Sequence, residues 1–184
     1  TIMKTVFIFL ANGFEEAEAL VTVDVLRRAD FKVQTVSITR SKQVAGAHGV
    51  VVEADALIDD VDFSAADCLV LPGGMPGTSN LDQSEKVKTL LTHHYQKGGL
   101  LAAICAAPLV LGRLGMLKGK EAVCYPGFEK YLEGATIAKG KFAVSGNILT
   151  GKGPGCVFDF SLKLVELLSN KELAEQVADG LIWS

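Results

Sequence analysis

The sequence of 184 residues has little net charge, few histidines and no long apolar run. Its formal net charge of −3 gives no electrostatic reason to expect a nucleic acid or an anionic membrane surface as a partner. No apolar run approaches the ~20 residues of a membrane span, and the run from Thr5 to Leu10 is too short for a secretory signal. We therefore expect a cytoplasmic protein that binds neither a membrane nor a nucleic acid.

Paired cysteines and converging histidines are also lacking. The four cysteines form no C-x-x-C pair, so we expect free thiols in a reducing compartment. His93 and His94 are neighbours in a predicted helix and lie about 100° apart, so they cannot converge on a metal ion as an i, i+4 pair would. We expect both at the surface, and no metal site.

One motif for a serine nucleophile and one motif for phosphate binding are absent as well. The chain has no Gly-x-Ser-x-Gly elbow for Ser-His-Asp catalysis and no Gly-x4-Gly-Lys-Ser/Thr phosphate loop. A Cys–His nucleophile pair would need an imidazole in a loop, and His48 is the candidate for that position. The other route to a reactive thiol is support from a carboxyl group, a helix dipole and backbone donors.

What the chain does contain is an alternation of short apolar runs with amphipathic segments. This pattern predicts one three-layer α/β domain over residues 1–184, with a mostly parallel sheet. Its first helix is apolar on more than one side, which favours a homodimer through that helix. The predicted segments are strands at 4–10, 31–38 and 67–71, helices at 15–29, 84–97, 108–114, 157–168 and 171–179, an edge hairpin at 44–53, and short strands at 121–124, 136–138, 142–144 and 148–150, the last three joined by hairpin turns.

Cys105 stands at the corner between a buried apolar strand and a helix. Ala106 and Ala107 allow a tight turn, and Pro108 suits the first turn of a helix. A thiol at a helix N-terminus is expected to have a lowered pKa and to be reactive. An ordinary buried cysteine, packed as a small hydrophobic group, is the alternative.

Two further segments that follow predicted strands are rich in glycine or in glutamate. The glycine-rich segment from Pro72 to Gly77 follows a buried strand, where its N–H groups either approach a ligand or form a plain turn. Glu15, Glu16 and Glu18 open the first helix, where acidic residues offset the helix dipole. We expect this capping role for Glu15 and Glu16.

Together these segments resemble the ThiJ/PfpI superfamily, and more narrowly its DJ-1/YajL-like branch. The resemblance rests on Ala11–Glu18, Asp24–Arg28, Leu71–Gly74, Ala102–Pro108 and Thr150–Gly155. It implies a flavodoxin-like α/β/α sandwich of the class I glutamine amidotransferase type, a homodimer, and a nucleophile, Cys105, on a strained elbow. Glu18 then corresponds to a protonated partner carboxyl that shuttles protons. Gly74 and Ala106 correspond to the backbone donors of an oxyanion pocket.

The same resemblance implies that Gly73, Tyr125, Arg28 and His48 contact substrate. Tyr125 stands where the DJ-1-type members of the branch have a histidine and the YajL-type members an aromatic residue, and His48 stands where the DJ-1-type members have a second arginine. The tyrosine argues against a Cys–His–Glu peptidase.

Three functions follow from the resemblance. The first is a cofactor-free glyoxalase or protein deglycase that acts on methylglyoxal, glyoxal or glycated side chains through a Cys105 hemithioacetal. The second is an oxidative-stress sensor or chaperone whose Cys105 is oxidised to the sulfinate. A peptidase or amidase is the third. We expect Cys68, Cys124 and Cys156 to be structural, with Cys124 near the pocket because it adjoins Tyr125.

Overall fold

Parallel strands joined by helices account for most of the chain. The computed structural model describes residues 3–184. In chain order the strands are β1 (Thr5–Leu10), β2 (Lys32–Ser37), β3 (Gln43–Ala45), β4 (Val51–Glu53), β5 (Ala56–Leu57), β6 (Cys68–Leu71), β7 (Leu100–Ile104), β8 (Glu121–Ala122), β9 (Thr136–Ile137), β10 (Phe142–Ser145) and β11 (Ile148–Gly151). The α-helices are α1 (Glu16–Arg28), α2 (Gly77–Gln83), α3 (Glu85–Gln96), α4 (Pro108–Arg113), α5 (Val157–Leu168) and α6 (Lys171–Leu181).

The main sheet has the strand order β10-β11-β7-β6-β1-β2-β5 and is parallel except for β10, which pairs antiparallel with β11. Each face of this sheet is covered by a separate apolar core. Along β1, Val6, Ile8 and Leu10 point into the core beneath α1, α5 and α6, whereas Phe7 and Phe9 point into the opposite core. This alternation along a strand with both faces buried confirms the predicted flavodoxin-like three-layer sandwich.

The strand order places a topological switch point between β1 and β6. From β1 the chain crosses over to β2 on one side, and from β6 it crosses to β7 on the other. In open α/β sheets ligands bind at the carboxyl ends of strands beside such a point. The loops that follow β1, β6 and β7 therefore meet at one crevice.

Two predicted hairpins are present, and a third is not. β3 pairs antiparallel with β4, and β10 with β11, as expected. However, β9 pairs in parallel with β8 and forms no hairpin with β10. The turn residues Lys139 and Gly140 predict a reversal of the chain, but β9 pairs with β8, which precedes it in the sequence.

Two local features differ from the sequence prediction. Helix α2 was not predicted, because Leu81 is the only large apolar side chain that it buries among its seven residues. His94, expected at the surface, is buried, and its Nε2 lies 3.1 Å from the carbonyl oxygen of Leu100. His93 is exposed, as predicted. Within residues 3–184 every helix is too short or too polar to cross a bilayer.

Candidate active site

Cys105 forms the corner between β7 and α4 in a conformation that non-glycine residues seldom adopt. Its φ is +66°, in the left-handed region, where a side chain carries backbone strain. Its N–H donates to the carbonyl of Gly151 at 2.9 Å, and its own carbonyl accepts from the N–H of Tyr125 at 2.8 Å. These bonds hold the strained corner in place. The strained elbow that the resemblance implies at Cys105 is therefore present.

The carboxyl group of Glu18 lies beside this thiol. Glu18 is the third residue of α1, and its side chain is completely buried. Gly73, two residues after β6, lets the two groups approach each other: a Cβ at this position would lie 2.6 Å from the Cβ of Cys105 and 3.0 Å from Oε1 of Glu18. Any side chain at residue 73 would therefore separate the carboxyl from the thiol.

Burial dominates the protonation of Glu18. Removal from water, reinforced by the charge of Glu15, raises the pKa of Glu18 from 4.5 to about 8. The Cys105 thiol and the N–H of Gly73 favour the carboxylate, but neither makes a hydrogen bond of full geometry to either carboxyl oxygen. Glu18 is therefore a neutral acid at pH 7, the state that the resemblance implies.

Burial also governs the thiol, and here the sequence prediction of a lowered pKa is wrong. Cys105 is only 8% exposed, and this burial, with the adjacent Glu18 charge, raises the pKa of its thiol to about 12. The N–H groups of Gly74 and Ala106 act in the opposite direction and do not outweigh burial. Helix α4 has only six residues, so its dipole adds little to these two donors.

The N–H groups of Gly74 and Ala106 lie near enough to the sulfur to act on the pKa of the thiol, which is the position that a pair of oxyanion donors would need. Gly74 has a φ of +91°, and a Cβ there would lie 2.4 Å from the backbone nitrogen of Glu15. Gly13 and Gly77 are equally close-packed, since a Cβ on either would lie 2.7 Å or less from the other loop. The loops after β1 and β6 thus pack backbone against backbone, a contact that was not predicted.

Glu15 and Glu16 have different roles at the start of α1. Glu15 is the N-cap residue and accepts the N–H of Ala17 at 3.4 Å, as predicted. Glu16 lies in the first turn of α1, as predicted, and has a second role there. Its Oε1 accepts the N–H groups of His48 at 2.7 Å and Val50 at 3.3 Å, so it fastens the β3–β4 loop to the helix. Gly46 is required there, because a Cβ would lie 2.3 Å from the Glu16 carboxyl.

His48 pairs with these glutamates and not with Cys105. Its Nδ1 lies 3.0 Å from Oε2 of Glu16 and 3.5 Å from Oε2 of Glu15, and its ring is exposed. The hydrogen bond to Glu16, followed by the charge of Glu15, raises the pKa of His48 above 6.5. Ligand atoms of the three residues lie within 4.8 Å of one another, so they are the group among residues 3–184 that could hold a metal ion. Ion pairing alone accounts for their arrangement.

Tyr125 and Arg28, the remaining predicted contacts, lie in different places. The backbone N–H of Tyr125 donates to the Cys105 carbonyl, and its ring is exposed. Arg28 ends α1 and pairs with Asp24 at 2.9 Å. It follows Glu18 by ten residues, or about 15 Å along the helix axis. A single chain therefore does not bring Arg28 to the thiol.

The other three cysteines are also free, and Cys124 directly precedes Tyr125, whose N–H is bonded to the Cys105 carbonyl. Cys68 is fully buried in β6, and burial raises the pKa of its thiol. Cys124 is buried beside Tyr125, and burial raises the pKa of its thiol to about 11. Cys156 is partly exposed before α5. Neither Cys68 nor Cys124 is set up as a surface nucleophile.

This fold and this elbow define a class: flavodoxin-like α/β proteins with a cysteine on a strained strand-to-helix corner and a buried carboxyl group beside it. The chain belongs to the DJ-1/PfpI family, whose model matches residues 4–167. It is 40% identical to the DJ-1 homolog B of Arabidopsis thaliana over 97% of its length, although it spans only 41% of that longer protein. It is 35% identical to a glutathione-independent glyoxalase of Caenorhabditis elegans, with 86% of this chain and 84% of the relative covered. The oxidized DJ-1 of Toxoplasma gondii superposes with a TM-score of 0.95 at 38% identity, covering 98% of this chain and 99% of that one.

Proposed function

We propose that the protein is a cofactor-free glyoxalase or protein deglycase that acts on methylglyoxal, glyoxal or early glycation adducts. The observation that carries the proposal is the buried pair of Glu18 and Cys105, placed against the N–H groups of Gly74 and Ala106. A proton carrier, a nucleophile and two oxyanion donors are the groups that an internal rearrangement of an α-oxoaldehyde requires. The similarity to the C. elegans glyoxalase supports the same reaction class.

The reaction begins when the sulfur of Cys105 attacks the aldehyde carbon and its proton passes to the carboxylate form of Glu18. The resulting alkoxide is held by the N–H groups of Gly74 and Ala106, and on protonation it becomes a hemithioacetal. Glu18 then moves the proton on C1 to C2 through an enediol, which converts the hemithioacetal into a 2-hydroxy thioester. Water hydrolyses the thioester and releases lactate from methylglyoxal, so the balance is one methylglyoxal and one water to one lactic acid.

The raised pKa values give this scheme a pH dependence. The carboxylate of Glu18 becomes the major form only above about pH 8, so the rate should rise from pH 6 to pH 9. The test is lactate formation from methylglyoxal without glutathione, in the parent, Cys105→Ser and Glu18→Gln. Cys156→Ser is the matched control, because it also removes a free thiol. Turnover in Cys105→Ser at the parental rate would end the proposal.

A second candidate function is redox sensing by Cys105. The T. gondii neighbour is described as oxidized, and the donors that would hold an alkoxide would equally hold a sulfinate. Two equivalents of peroxide would convert the thiol to the sulfinic acid with release of two waters, the acid would ionise to the sulfinate, and protonated Glu18 would donate a hydrogen bond to one sulfinate oxygen. Intact mass after mild peroxide should increase by two oxygen atoms in the parent and not in Cys105→Ser. A thiol that stays unmodified would exclude this role.

A peptidase function has less support. His48 pairs with Glu16, and His94 is bound at the amino end of β7, so neither imidazole is placed to serve the thiol as a base. Cleavage of peptides that depends on Cys105 would reverse this ranking.

The chain is further proposed to form a homodimer through α1. Leu20 is exposed in the middle of this helix, and Val50 and Val51 are exposed in the adjoining β3–β4 hairpin. Apolar side chains grouped in this way are typical of an interface. Light scattering should give twice the chain mass for the parent and a smaller mass for Leu20→Glu, and a monomeric parent would contradict the proposal.

A further inference from the structure

One pair of hydroxyl groups is buried between two helices beside the site and takes no part in the reaction proposed above. Thr22 lies in α1 and Ser161 in α5, and these residues are 1% and 0% exposed. The hydroxyl of Ser161 donates to Oγ1 of Thr22 at 3.1 Å, and the hydroxyl of Thr22 donates to the backbone carbonyl of Glu18 at 2.7 Å. A buried hydroxyl is costly unless it is hydrogen-bonded, so the two bonds favour one relative position of α1 and α5.

The place of the Glu18 carboxyl depends on the place of α1, because no hydrogen bond holds the group itself. Neither of its oxygens has a hydrogen-bond partner among residues 3–184. Before Glu18, the helix start is held by the N–H of Glu15, which donates to the carbonyl of Gly73 at 2.8 Å. Thr22 lies one turn after Glu18 on the same face of the helix, since residues four apart share a face. Its contact with α5 therefore holds the helix on the side of Glu18 that the first turn does not reach.

Helix α5 packs directly on the strand that holds the cysteine corner. The carbonyl of Gly151, the last residue of β11, accepts the N–H of Cys105 at 2.9 Å. A Cβ on Gly151 would lie 2.7 Å from the ring of Phe160, which precedes Ser161 in α5. The bond from Ser161 to Thr22 therefore fastens the helix that carries Glu18 to the helix that packs behind Cys105.

We propose that Thr22 and Ser161 are positioning residues that keep the carboxyl of Glu18 in its place beside the sulfur of Cys105. The proposal rests on the glyoxalase function proposed above for its effect on turnover, whereas the place of the carboxyl can be followed without substrate. Neither hydroxyl takes part in the proton transfers. Loss of the pair should lower kcat and leave KM unchanged, because a displaced proton carrier slows the chemistry and does not alter the binding of a small aldehyde.

The test compares the parent with the double variant Thr22→Val/Ser161→Ala in lactate formation from methylglyoxal. This variant replaces both hydroxyls by apolar groups of similar shape, so it leaves no buried hydroxyl unpaired and should cost little stability. Its kcat should fall about threefold to tenfold, less than the roughly 100-fold that a displacement of about 1 Å can cost. Thr22→Ser keeps the hydroxyl and should restore most of the parental kcat. Thr92→Val is the matched control, because Thr92 in α3 makes the same bond to the carbonyl four residues earlier, at 2.8 Å, and should keep the parental kcat.

A measurement on the free enzyme separates the hydroxyl pair from the reaction. In protein labelled with ¹³C at the glutamate carboxyl carbons, the NMR signal of Glu18 is the one that Glu18→Gln removes. This signal should shift in the double variant and keep its parental position in Thr22→Ser and Thr92→Val. If it does so and the parent forms no lactate, the positioning role stands and the glyoxalase proposal fails. An unchanged signal in the double variant, an equal shift in Thr92→Val, or a parental kcat in the double variant of an active parent would refute the positioning role.

Discussion

Replacement of Glu18 by glutamine should change how the stability of the protein depends on pH. Glu18 has a pKa of about 8 in the folded chain and about 4.5 when unfolded. Below pH 4.5 it is protonated in both states and adds no pH dependence. Between these values the unfolded chain binds fewer protons than the folded one, so the free energy of unfolding falls as the pH rises. The slope is about 1.4 kcal/mol per pH unit, and the total loss above pH 8 is about 5 kcal/mol.

Glu18→Gln removes this titration and keeps a side chain of similar size. From pH 5 to pH 7 the parent should lose about 2–3 kcal/mol of stability relative to Glu18→Gln. Urea denaturation of both proteins at pH 5, 6, 7 and 8 measures this difference, in which the titration of other groups cancels. The exposed residue Glu53 supplies the control, because Glu53→Gln should follow the parent at every pH. A constant difference between the parent and Glu18→Gln over this range would refute a buried, protonated Glu18.

Three further predictions concern the geometry of the site. Gly73→Ala should destabilise the protein by about 1–3 kcal/mol and slow alkylation of Cys105, because its methyl group would overlap the cysteine. Gly155→Ala is the control, because a Cβ at residue 155 has no neighbour within 4 Å, and it should change neither property. Equal behaviour of the two variants would contradict the packing. Cys105→Gly should be about 1 kcal/mol more stable than Cys105→Ala in thermal denaturation, because glycine adopts a φ of +66° without strain. Equal stability of the two variants would show that the backbone at residue 105 is not strained. The pKa of His48, followed by NMR, should lie above 6.5 in the parent and fall towards 6.5 in Glu16→Gln, and an unchanged midpoint would show that the ion pair does not form in solution.

The parts of the fold that depend on local pattern could be predicted from the sequence. The bounds of α5 agree with the predicted helix at 157–168 because its apolar residues recur at helical spacing. The central strands are continuous apolar runs, and they too lie where predicted. Helix α2 lacks such a pattern and was missed. A location in the cytoplasm stays a prediction.

The site was less accessible to sequence reasoning, because its chemistry depends on contacts between distant residues. The corner at Cys105 follows from its neighbours, but Glu18 is assigned to the thiol only through the family resemblance. The bond from His48 to Glu16 joins residues 32 positions apart, so no local motif marks it. The thiol pKa was predicted in the wrong direction because the helix N-terminus is visible in the sequence, whereas the burial that outweighs it is a property of the folded chain.

The contact between the loops after β1 and β6 limits how this pocket can evolve. Gly13, Gly74 and Gly77 meet there, and glycine has no side chain that a substitution could shorten or reorient. A wider or narrower pocket cannot be made by substitution on that side without moving the backbone that aims the Gly74 N–H at the sulfur. Diversification of substrate range must therefore arise elsewhere around the thiol, for example at Tyr125, whose exposed ring can vary while the reacting groups stay in place.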